Sequence, residues 1–217
     1  MFQNDEKDDN MNKRKIRDII RLTWAILFWW LYIPHLFAYA TGGGKNIIDS
    51  DLKAISSQLN IRLPRIVQLL YQLHNNRYFR HVFYYRMGPV FDLLVSWYRP
   101  GDKYLWIPFS TKVGKGLKYA HPYSTVLNAE SIGDNFTFIH CTTIGKKDGR
   151  RPRIGNNVTL GCHVAIIGDI TIGNNVTVGA GSVVVKDVPD NAIVVGNPAV
   201  IHSRTNATLK YIDNIVT

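Results

Sequence analysis

The stretch "IGNNVTLGCHVAIIGDITIGNNVTVGAGSVVV", residues 154–185, decides the fold, because an aliphatic residue returns at every sixth position. These positions are Ile154, Leu160, Ile166, Ile172, Val178 and Val184, and a glycine follows most of them. An α-helix repeats every 3.6 residues and a half-buried strand every two, so neither explains a six-residue period. A fixed short period predicts a solenoid of stacked parallel coils, in which each repeat covers the next.

The same period extends towards the N-terminus with interruptions, through Ile144, Ile132 and Val113. The aliphatic residues are predicted to point inward and the glycines and asparagines to form the corners. Three repeats make one triangular coil, so about twelve repeats give about four coils. Three Asn-x-Thr sequences, at Asn135, Asn157 and Asn175, fall on repeat corners, where asparagine tolerates the left-handed conformation. They are interpreted as turn residues rather than as glycosylation sites.

The chain before the repeat has a different pattern. We predict a polar tail at 1–15, a helical region at 16–100, the solenoid at 101–200 and a C-terminal tail at 201–217. Apolar residues at helical spacing support the second segment, and the turn residues of "RPGD", 99–102, end it.

Residues 22–40, "LTWAILFWWLYIPHLFAYA", contain no Lys, Arg, Asp or Glu and follow a basic run. The Pro-His pair interrupts the segment, and the tryptophans and tyrosines suit a membrane interface better than a hydrocarbon core. We expect a membrane-surface or re-entrant segment first, a helical-bundle core second and a bilayer span third.

The formal net charge of +10 favours a polyanionic partner. No zinc-finger spacing, basic heptad helix or RNA-binding signature is present, which argues against nucleic acid. The two cysteines, Cys141 and Cys162, are too few for a disulfide framework and indicate a reducing compartment.

The repeat and the closing "VVGNPAVI", residues 194–201, resemble the left-handed β-helix hexapeptide acyltransferases, and most of all their serine acetyltransferase-like branch, which includes acetyltransferases of surface-polysaccharide biosynthesis. The fold class expected is α+β, with an N-terminal helical region followed by a left-handed parallel β-helix. The resemblance implies a homotrimer that binds acetyl-CoA between subunits and transfers the acetyl group to a hydroxyl. We expect a cytoplasmic protein at the inner membrane face.

The segment "GLKYAHPYSTVLNAESIG", residues 116–133, matches the part of the family that contains the catalytic histidine, and His121 is the matching residue. The six-residue count fails here by one, which indicates one inserted residue between Tyr119 and Val126. An alcohol needs a base to attack at neutral pH, and an imidazole can provide one, raising the rate by roughly 10² to 10⁴. The competing interpretation is that His121 only fills a bulged corner before Pro122.

Two positions depart from the family pattern. Trp106 stands where an aspartate is expected to orient the histidine, and Arg151 stands where a second histidine is expected. Both departures disfavour serine as acceptor, and a tryptophan could instead stack on a sugar. Asn128 and Glu130 remain as polar groups that could orient His121.

If the inserted residue follows His121, the repeat count places His121, His140 and Cys162 in one column, one coil apart. His140 would then support His121 or contact the acceptor. A zinc site is the rival interpretation of this column, and a polar exposed surface residue is the simplest one for His140. We expect no metal.

The segment "GKKDGRRPR", residues 145–153, inserts four residues into the repeat and has five basic residues against one acid. Such a loop suits an anionic ligand such as the CoA phosphates, although a solvated charged loop is the simpler alternative. The residues assigned to the CoA site are Lys146, Lys147, Arg151, Cys162, Gly179, Ala180, Lys186 and Arg204.

The function expected is O-acetylation of a sugar hydroxyl in a surface-polysaccharide precursor, with His121 as general base. Serine O-acetylation in cysteine biosynthesis and a non-catalytic β-helix scaffold are the alternatives.

Overall fold

The computed structural model describes residues 2–56 and 63–202, with side chains from residue 12 onward. Arg204 and most of the predicted C-terminal tail therefore lie outside the described residues. The chain divides into a helical unit that ends at Gly101 and a β-helix unit that begins at Asp102, with Lys53–Ile55 grouped with the second unit.

The β-helix unit contains three parallel sheets, and successive strands pass from one sheet to the next. Sheet A has the strand order β1-β4-β7-β10-β13, sheet B the order β11-β8-β5-β2, and sheet C the order β15-β14-β12-β9-β6-β3. The strands are β1 (Leu105–Trp106), β2 (Lys112–Val113), β3 (Lys118–Ala120), β4 (Thr125–Leu127), β5 (Ser131–Ile132), β6 (Thr137–Ile139), β7 (Thr143–Gly145), β8 (Arg153–Ile154), β9 (Thr159–Leu160), β10 (Ala165–Ile167), β11 (Thr171–Ile172), β12 (Thr177–Val178), β13 (Val183–Val184), β14 (Ile193–Gly196) and β15 (Ala199–His202).

The prediction of a six-residue solenoid is confirmed, and it makes about five coils rather than the four expected. The extra coil comes from Val188 and β14, which continue the stack where the sequence period is lost, since Val188 bridges Ile172 and Val194 pairs with Val178. Only β15 is antiparallel, folding back on β14 as a hairpin.

The core is the column of residues that the period places inward. Leu160, Ile166 and Ile172 are fully buried, and Ile154 is only 4% exposed. Burying one such side chain stabilises the fold by about 1.5–3 kcal/mol, so the repeat supplies its own core, one residue per strand.

The corner between sheets B and C confirms the interpretation of the asparagines. Asn135, Asn157, Asn175 and Asn191 all have φ between 56° and 61°. The side-chain amides of Asn135, Asn157 and Asn175 each donate to the side-chain oxygen of the asparagine in the next coil, at 2.9–3.0 Å, and Asn191 is the last acceptor. The ladder satisfies these side chains along the stack.

Glycine is required at the start of this corner because the coils touch there. A Cβ on Gly155 would lie 2.8 Å from the carbonyl carbon and oxygen of Gly173 in the next coil. Real Cβ atoms do not approach backbone atoms so closely.

We expect Gly155→Ala to destabilise the protein by about 1–3 kcal/mol, because the backbone of two coils must separate to admit a methyl group. Urea denaturation followed by the β-sheet signal in circular dichroism measures this change. Gly43→Ala is the matched control, since a Cβ there meets no atom within 4 Å. Equal stability of the two variants would contradict this account of the corner.

The helical unit contains six α-helices and one 3₁₀ helix among the described residues. They are α1 (Phe2–Leu27), a 3₁₀ turn (Trp29–Tyr32), α2 (Ile33–Thr41), α3 (Lys45–Ser56), α4 (Arg65–Asn75), α5 (Arg77–Met87) and α6 (Pro89–Val95). Residues 2–15, within the segment predicted to be a polar tail, belong to α1 (Phe2–Leu27). Helix propagation costs little once the packed part of α1 has nucleated it.

No single helix among the described residues is long and apolar enough to cross a membrane. The segments Asn12–Leu27 and Trp29–Thr41 meet the length and composition criteria only as a pair, with a 72° bend between them.

A buried histidine lies at the centre of the helical unit. The His35 side chain is inaccessible to solvent, its Nε2 lies 3.0 Å from the Tyr84 hydroxyl, and its Nδ1 lies 3.4 Å from the Tyr98 hydroxyl. Burial, and secondarily the charges of Arg80 and Arg99, lower the pKa of His35 to about 4. His35 is therefore neutral in the folded protein at neutral pH.

This pKa predicts acid sensitivity. The unfolded chain protonates His35 near pH 6.5 and the folded chain only near pH 4, so the free energy of unfolding falls as the pH drops between these values. The full loss is about 3 kcal/mol. His35→Gln should be less stable at pH 7 but lose less stability on acidification, as measured by denaturant titration at several pH values. An unchanged slope would assign the acid sensitivity to other groups.

Candidate functional site

The site is built on the corner between sheet C and sheet A, where the first coil departs from the repeat. The register pairs Ala120 with Ile139 but Leu127 with Ile144. The chain thus takes two more residues to pass this corner in the first coil than in the second. Leu127 is fully buried and takes the inward position, so the expectation that Val126 does so is wrong.

The two extra residues are His121 and Pro122. The amide of Cys141 donates to the Tyr123 carbonyl, as that of His163 does to His140 and that of Gly181 to Cys162. This repeated bond aligns Tyr123 with His140 and Cys162, and leaves His121 and Pro122 as a bulge. The sequence predicted a single inserted residue because it gives only the sum over two corners. Two residues are added at this corner, and the next corner, between Leu127 and Ile132, is one residue shorter than the repeat.

The bulge presents the histidine to solvent. The backbone of His121 has φ 47° and its side chain is exposed, whereas Pro122 is buried. The Tyr123 amide donates to the His121 carbonyl at 2.8 Å, which closes a three-residue turn around Pro122. Histidine tolerates this left-handed conformation better than branched residues do. His121 is therefore held at the backbone while its imidazole remains open to a ligand.

The predicted column of His121, His140 and Cys162 is wrong in its first member. Tyr123 occupies that place, and its ring stacks on His140 with 5.0 Å between centroids and 10° between planes. The His163 ring contacts His140 edge-on, at 5.3 Å and 88°. The predicted column assumed that the inserted residue follows His121. The inserted residues are His121 and Pro122 themselves, so the regular position of the coil falls on Tyr123.

The Nδ1 atom of His140 is buried and has no hydrogen-bond partner among the described residues. A buried polar atom without a partner costs about 1–3 kcal/mol, so it marks a place where a ligand or a second chain could supply the missing bond. Tyr123 and His163 were not identified from sequence. A correct placement of the insertion would have found Tyr123.

Of the other three predicted supporting residues, Trp106 lies beside the bulge, whereas Asn128 and Glu130 lie away from it. Trp106 is 52% exposed and pairs with Val126, which follows the bulge in β4. Asn128 and Glu130 lie at the opposite end of β4, beyond a strand of roughly 10 Å. Glu130 binds Arg153 at 3.1 Å, so the structure assigns it to that arginine and not to His121.

The segment 145–153 forms a tight hairpin rather than an open loop. Lys147 and Arg150 exchange two backbone hydrogen bonds at 3.0 Å, and both turn residues, Asp148 and Gly149, have positive φ. An Asp-Gly pair in this conformation makes a type I′ turn, which matches the twist of a hairpin. That dipeptide was the sequence signal for the hairpin.

Ion pairs hold two of the five basic residues of this segment. Arg150 binds Asp169 at 2.8 Å, and Arg153 bridges Glu130 and Asp169 at 3.1 Å each. These hydrogen bonds, that of Arg150 first, lower the pKa of Asp169, and the bond to Glu130 contributes most to raising that of Arg153. Arg151 donates to the Ser110 hydroxyl at 2.9 Å.

The lysines of the predicted CoA site share one corner. Lys146 and Lys147 are exposed and make no ion pair among the described residues. The backbone bond from Gly168 to the Gly145 carbonyl, with the pairing of Ala165 and Val183, places Lys146 and Lys186 on the same corner two coils apart. This corner, between sheets A and B, thus has three exposed lysines besides the arginines of the hairpin.

The other predicted CoA residues lie at a different corner. Cys162 and Ala180 share the column of His140 between sheets C and A, and Gly179 directly precedes Ala180. A Cβ on Gly179 would lie 2.4 Å from Val195, so this glycine also has a structural reason. Within one chain the predicted CoA set is divided between two corners.

The β-helix unit also contains a small apolar cavity. A cavity of about 310 Å³ is lined by aliphatic residues of β13 and β15 together with Lys186. Among the described side chains, those of residues 12–56 and 63–202, no three His, Cys, Asp or Glu are close enough to hold a metal ion.

Comparison with known proteins agrees with this fold. The family model for bacterial transferase hexapeptide (six repeats) matches residues 151–186. The chain contains a hexapeptide repeat and has a serine acetyltransferase-like fold.

Two curated relatives match this repeat protein at similar levels. The "Putative colanic acid biosynthesis acetyltransferase WcaB" of Escherichia coli is 50% identical over 97 residues, which are 43% of this chain and 60% of WcaB. "Serine acetyltransferase 1, chloroplastic" of Arabidopsis thaliana is 48% identical over 93 residues, 41% of this chain and 30% of that enzyme. The matched region is thus less than two thirds of either relative.

Solved structures of serine acetyltransferases extend the likeness to the helical unit. The Neisseria gonorrhoeae serine acetyltransferase in complex with serine has a TM-score of 0.60 at 28% identity, covering 75% of this chain and 70% of that one. A serine acetyltransferase in complex with CoA has a TM-score of 0.60 at 22% identity, covering 78% and 74%, and at that identity shows the fold alone.

The unpartnered atom of His140 yields a prediction about stability. His140→Phe keeps a ring between Tyr123 and His163 and removes the buried Nδ1 atom. We expect the free energy of unfolding to stay equal or to rise by about 1 kcal/mol, measured by urea denaturation. A loss greater than about 1 kcal/mol would mean that Nδ1 is hydrogen-bonded in solution. Tyr123→Leu, which removes the stacking partner, is the comparison variant and should be less stable than wild type.

Proposed function

We propose that the protein is an O-acetyltransferase that moves the acetyl group of acetyl-CoA to a sugar hydroxyl in a surface-polysaccharide precursor. The observation that carries the proposal is the two-residue bulge that exposes His121 on a β-helix whose relatives are named acetyltransferases. A regular coil closes without the extra His-Pro pair, whereas an active site needs a base that extends beyond the surface of the coil.

His121 acts as general base in this proposal. Its imidazole accepts the proton of the acceptor hydroxyl as the oxygen attacks the thioester carbonyl carbon, and CoA leaves as the thiol. The C–O bond forms, the C–S bond breaks, and the proton taken from the hydroxyl is transferred to the thiolate sulfur of CoA. The acetyl donor is a substrate, and no metal takes part.

The division of the predicted CoA residues supports binding between subunits. Lys146, Lys147 and Lys186 on one corner suit the negatively charged phosphates, while Cys162 and Ala180 lie on the corner of His121. In a homotrimer of parallel prisms, as the resemblance implies, the two corners would come from neighbouring chains. Arg151 is already bound to Ser110, so its part in CoA binding is the weaker assignment.

A sugar acceptor is favoured over serine by the surroundings of the bulge. Trp106 is exposed on the strand beside β4 and presents an aromatic face, which suits the apolar face of a sugar ring. The serine acetyltransferase relatives support the second candidate, serine O-acetylation. The match to WcaB, at 50% identity, supports the first.

The test measures CoA thiol release from acetyl-CoA with a panel of nucleotide sugars and with serine. We expect a sugar to stimulate release and His121→Ala to lower kcat/KM by roughly 10² to 10⁴. His163 is an exposed histidine two coils further along the same corner. His163→Ala is therefore the matched control and should retain more activity than His121→Ala. Stimulation by serine alone would overturn the sugar assignment, and full turnover of His121→Ala would overturn the role of the base.

A further inference from the structure

The helix α1 exposes its apolar residues to solvent. Asp18 and Ala25 are buried on one side, and Asp18 accepts a hydrogen bond from Tyr71 of α4 at 3.3 Å. Ile16, Ile20 and Leu27 lie on the opposite side and are 52–59% exposed. A surface helix of a soluble protein normally has polar residues there, so this face needs a partner.

The apolar exposure continues after α1. Trp29 and Trp30 in the 3₁₀ turn are 50% and 55% exposed, and Phe37 in α2 is 69% exposed. Tryptophan combines a large apolar ring with a polar N–H, and it is enriched where protein meets the lipid headgroups.

A second apolar stripe lies on α6 and the turn after it. Val90, Leu93, Leu94 and Trp97 recur at helical spacing and are 64–79% exposed. Phe91 instead turns inward and packs edge-on against His35 of α2.

The two stripes lie on adjoining parts of the helical unit. The Tyr98 hydroxyl donates to the Leu31 carbonyl at 2.9 Å, which holds the end of the α6 segment beside the 3₁₀ turn. Residues on both sides of this bond form what we call the apolar surface: Ile20, Leu27, Trp29, Trp30, Leu94 and Trp97.

The exposed charged residues of segment 12–41 have one sign. Residues 12–41 contain five basic residues and a single acid, Asp18, which is buried. Arg14, Lys15 and Arg17 are all exposed. A second copy of the chain docked face to face would bring these basic rims together, whereas an anionic surface would neutralise them.

We propose that the apolar surface and its basic rim dock on an anionic phospholipid bilayer, with the tryptophans at the headgroup level. Buried apolar area and attraction between basic residues and anionic lipids then act together, as in interfacial helices. The helices lie on the membrane in this proposal, which agrees with the finding that no single described helix passes as a span.

The test is co-sedimentation of the full chain with vesicles of phosphatidylcholine mixed with phosphatidylglycerol, and with vesicles of phosphatidylcholine alone. We expect binding to the mixed vesicles that weakens as salt rises. Four of the five tryptophans lie in the helical unit, so their emission should shift to the blue on the mixed vesicles. This readout needs no variant.

Two variants separate the contributions. Trp30→Ser with Trp97→Ser removes two exposed rings and should weaken vesicle binding at least about tenfold. Replacing Arg14, Lys15 and Arg17 by Gln should weaken it roughly a hundredfold. The matched controls are Trp106→Ser and Gln at Lys103, Lys112 and Lys115, all exposed in the other unit, and they should bind as wild type. Circular dichroism verifies folding.

Three results would overturn the proposal. The wild-type protein could fail to bind anionic vesicles, or the tryptophan variant could bind them as tightly as wild type does. Sedimentation could also show the tryptophan variant dissociating from a larger assembly that does not bind vesicles, in which case a second copy covers the surface. Acetyl transfer plays no part in the assay, so a failure here leaves the proposed function untouched.

Discussion

Every feature of the β-helix unit depends on the close contact between successive coils. Where Gly155 lies on Gly173 there is no room for a methyl group, and the asparagine ladder joins four coils through their side chains. A coil constrained on both sides cannot change its strands without disturbing its neighbours. Variation is therefore confined to corners, and the two corners with extra residues are the bulge at His121 and the hairpin after Gly145.

The same constraint explains which parts of the fold could be predicted from sequence. The period of six fixes the inward residues and the corners, because any solenoid with one buried aliphatic residue per strand must repeat them. The end of the stack could not be predicted, since Val188 and β14 keep the coil after the period has stopped.

The site was predictable only as far as counting residues allows. The position of His121 followed from the interruption and the resemblance, but a net insertion of one concealed two extra residues at one corner and one fewer at the next. Tyr123 therefore took the place expected for His121 beside His140. Ion pairs are equally hidden from sequence, since Glu130 meets Arg153 only because the stacking brings residues of different coils together.

Charge is distributed between the two units for different purposes. In the β-helix, acids of neighbouring coils bind Arg150 and Arg153, while Lys146, Lys147, Lys186 and Arg151 make no ion pair among the described residues. In the helical unit, the exposed residues near α1 are basic and the single acid of the segment is buried. Each unit thus has its own basic surface, and each surface has its own candidate anion.

A general base must be both exposed and held in place, and the His-Pro pair meets these two demands with different residues. His121 leaves the coil, so its ring can reach a substrate. Pro122 is buried, its ring fixes its own φ, and it has no backbone N–H that would need an acceptor. The hydrogen bond from Tyr123 to the His121 carbonyl then ties the bulge to a residue that stacks on His140. His121 is consequently anchored through the backbone to the stacked rings of the coil, even though its side chain is exposed to solvent.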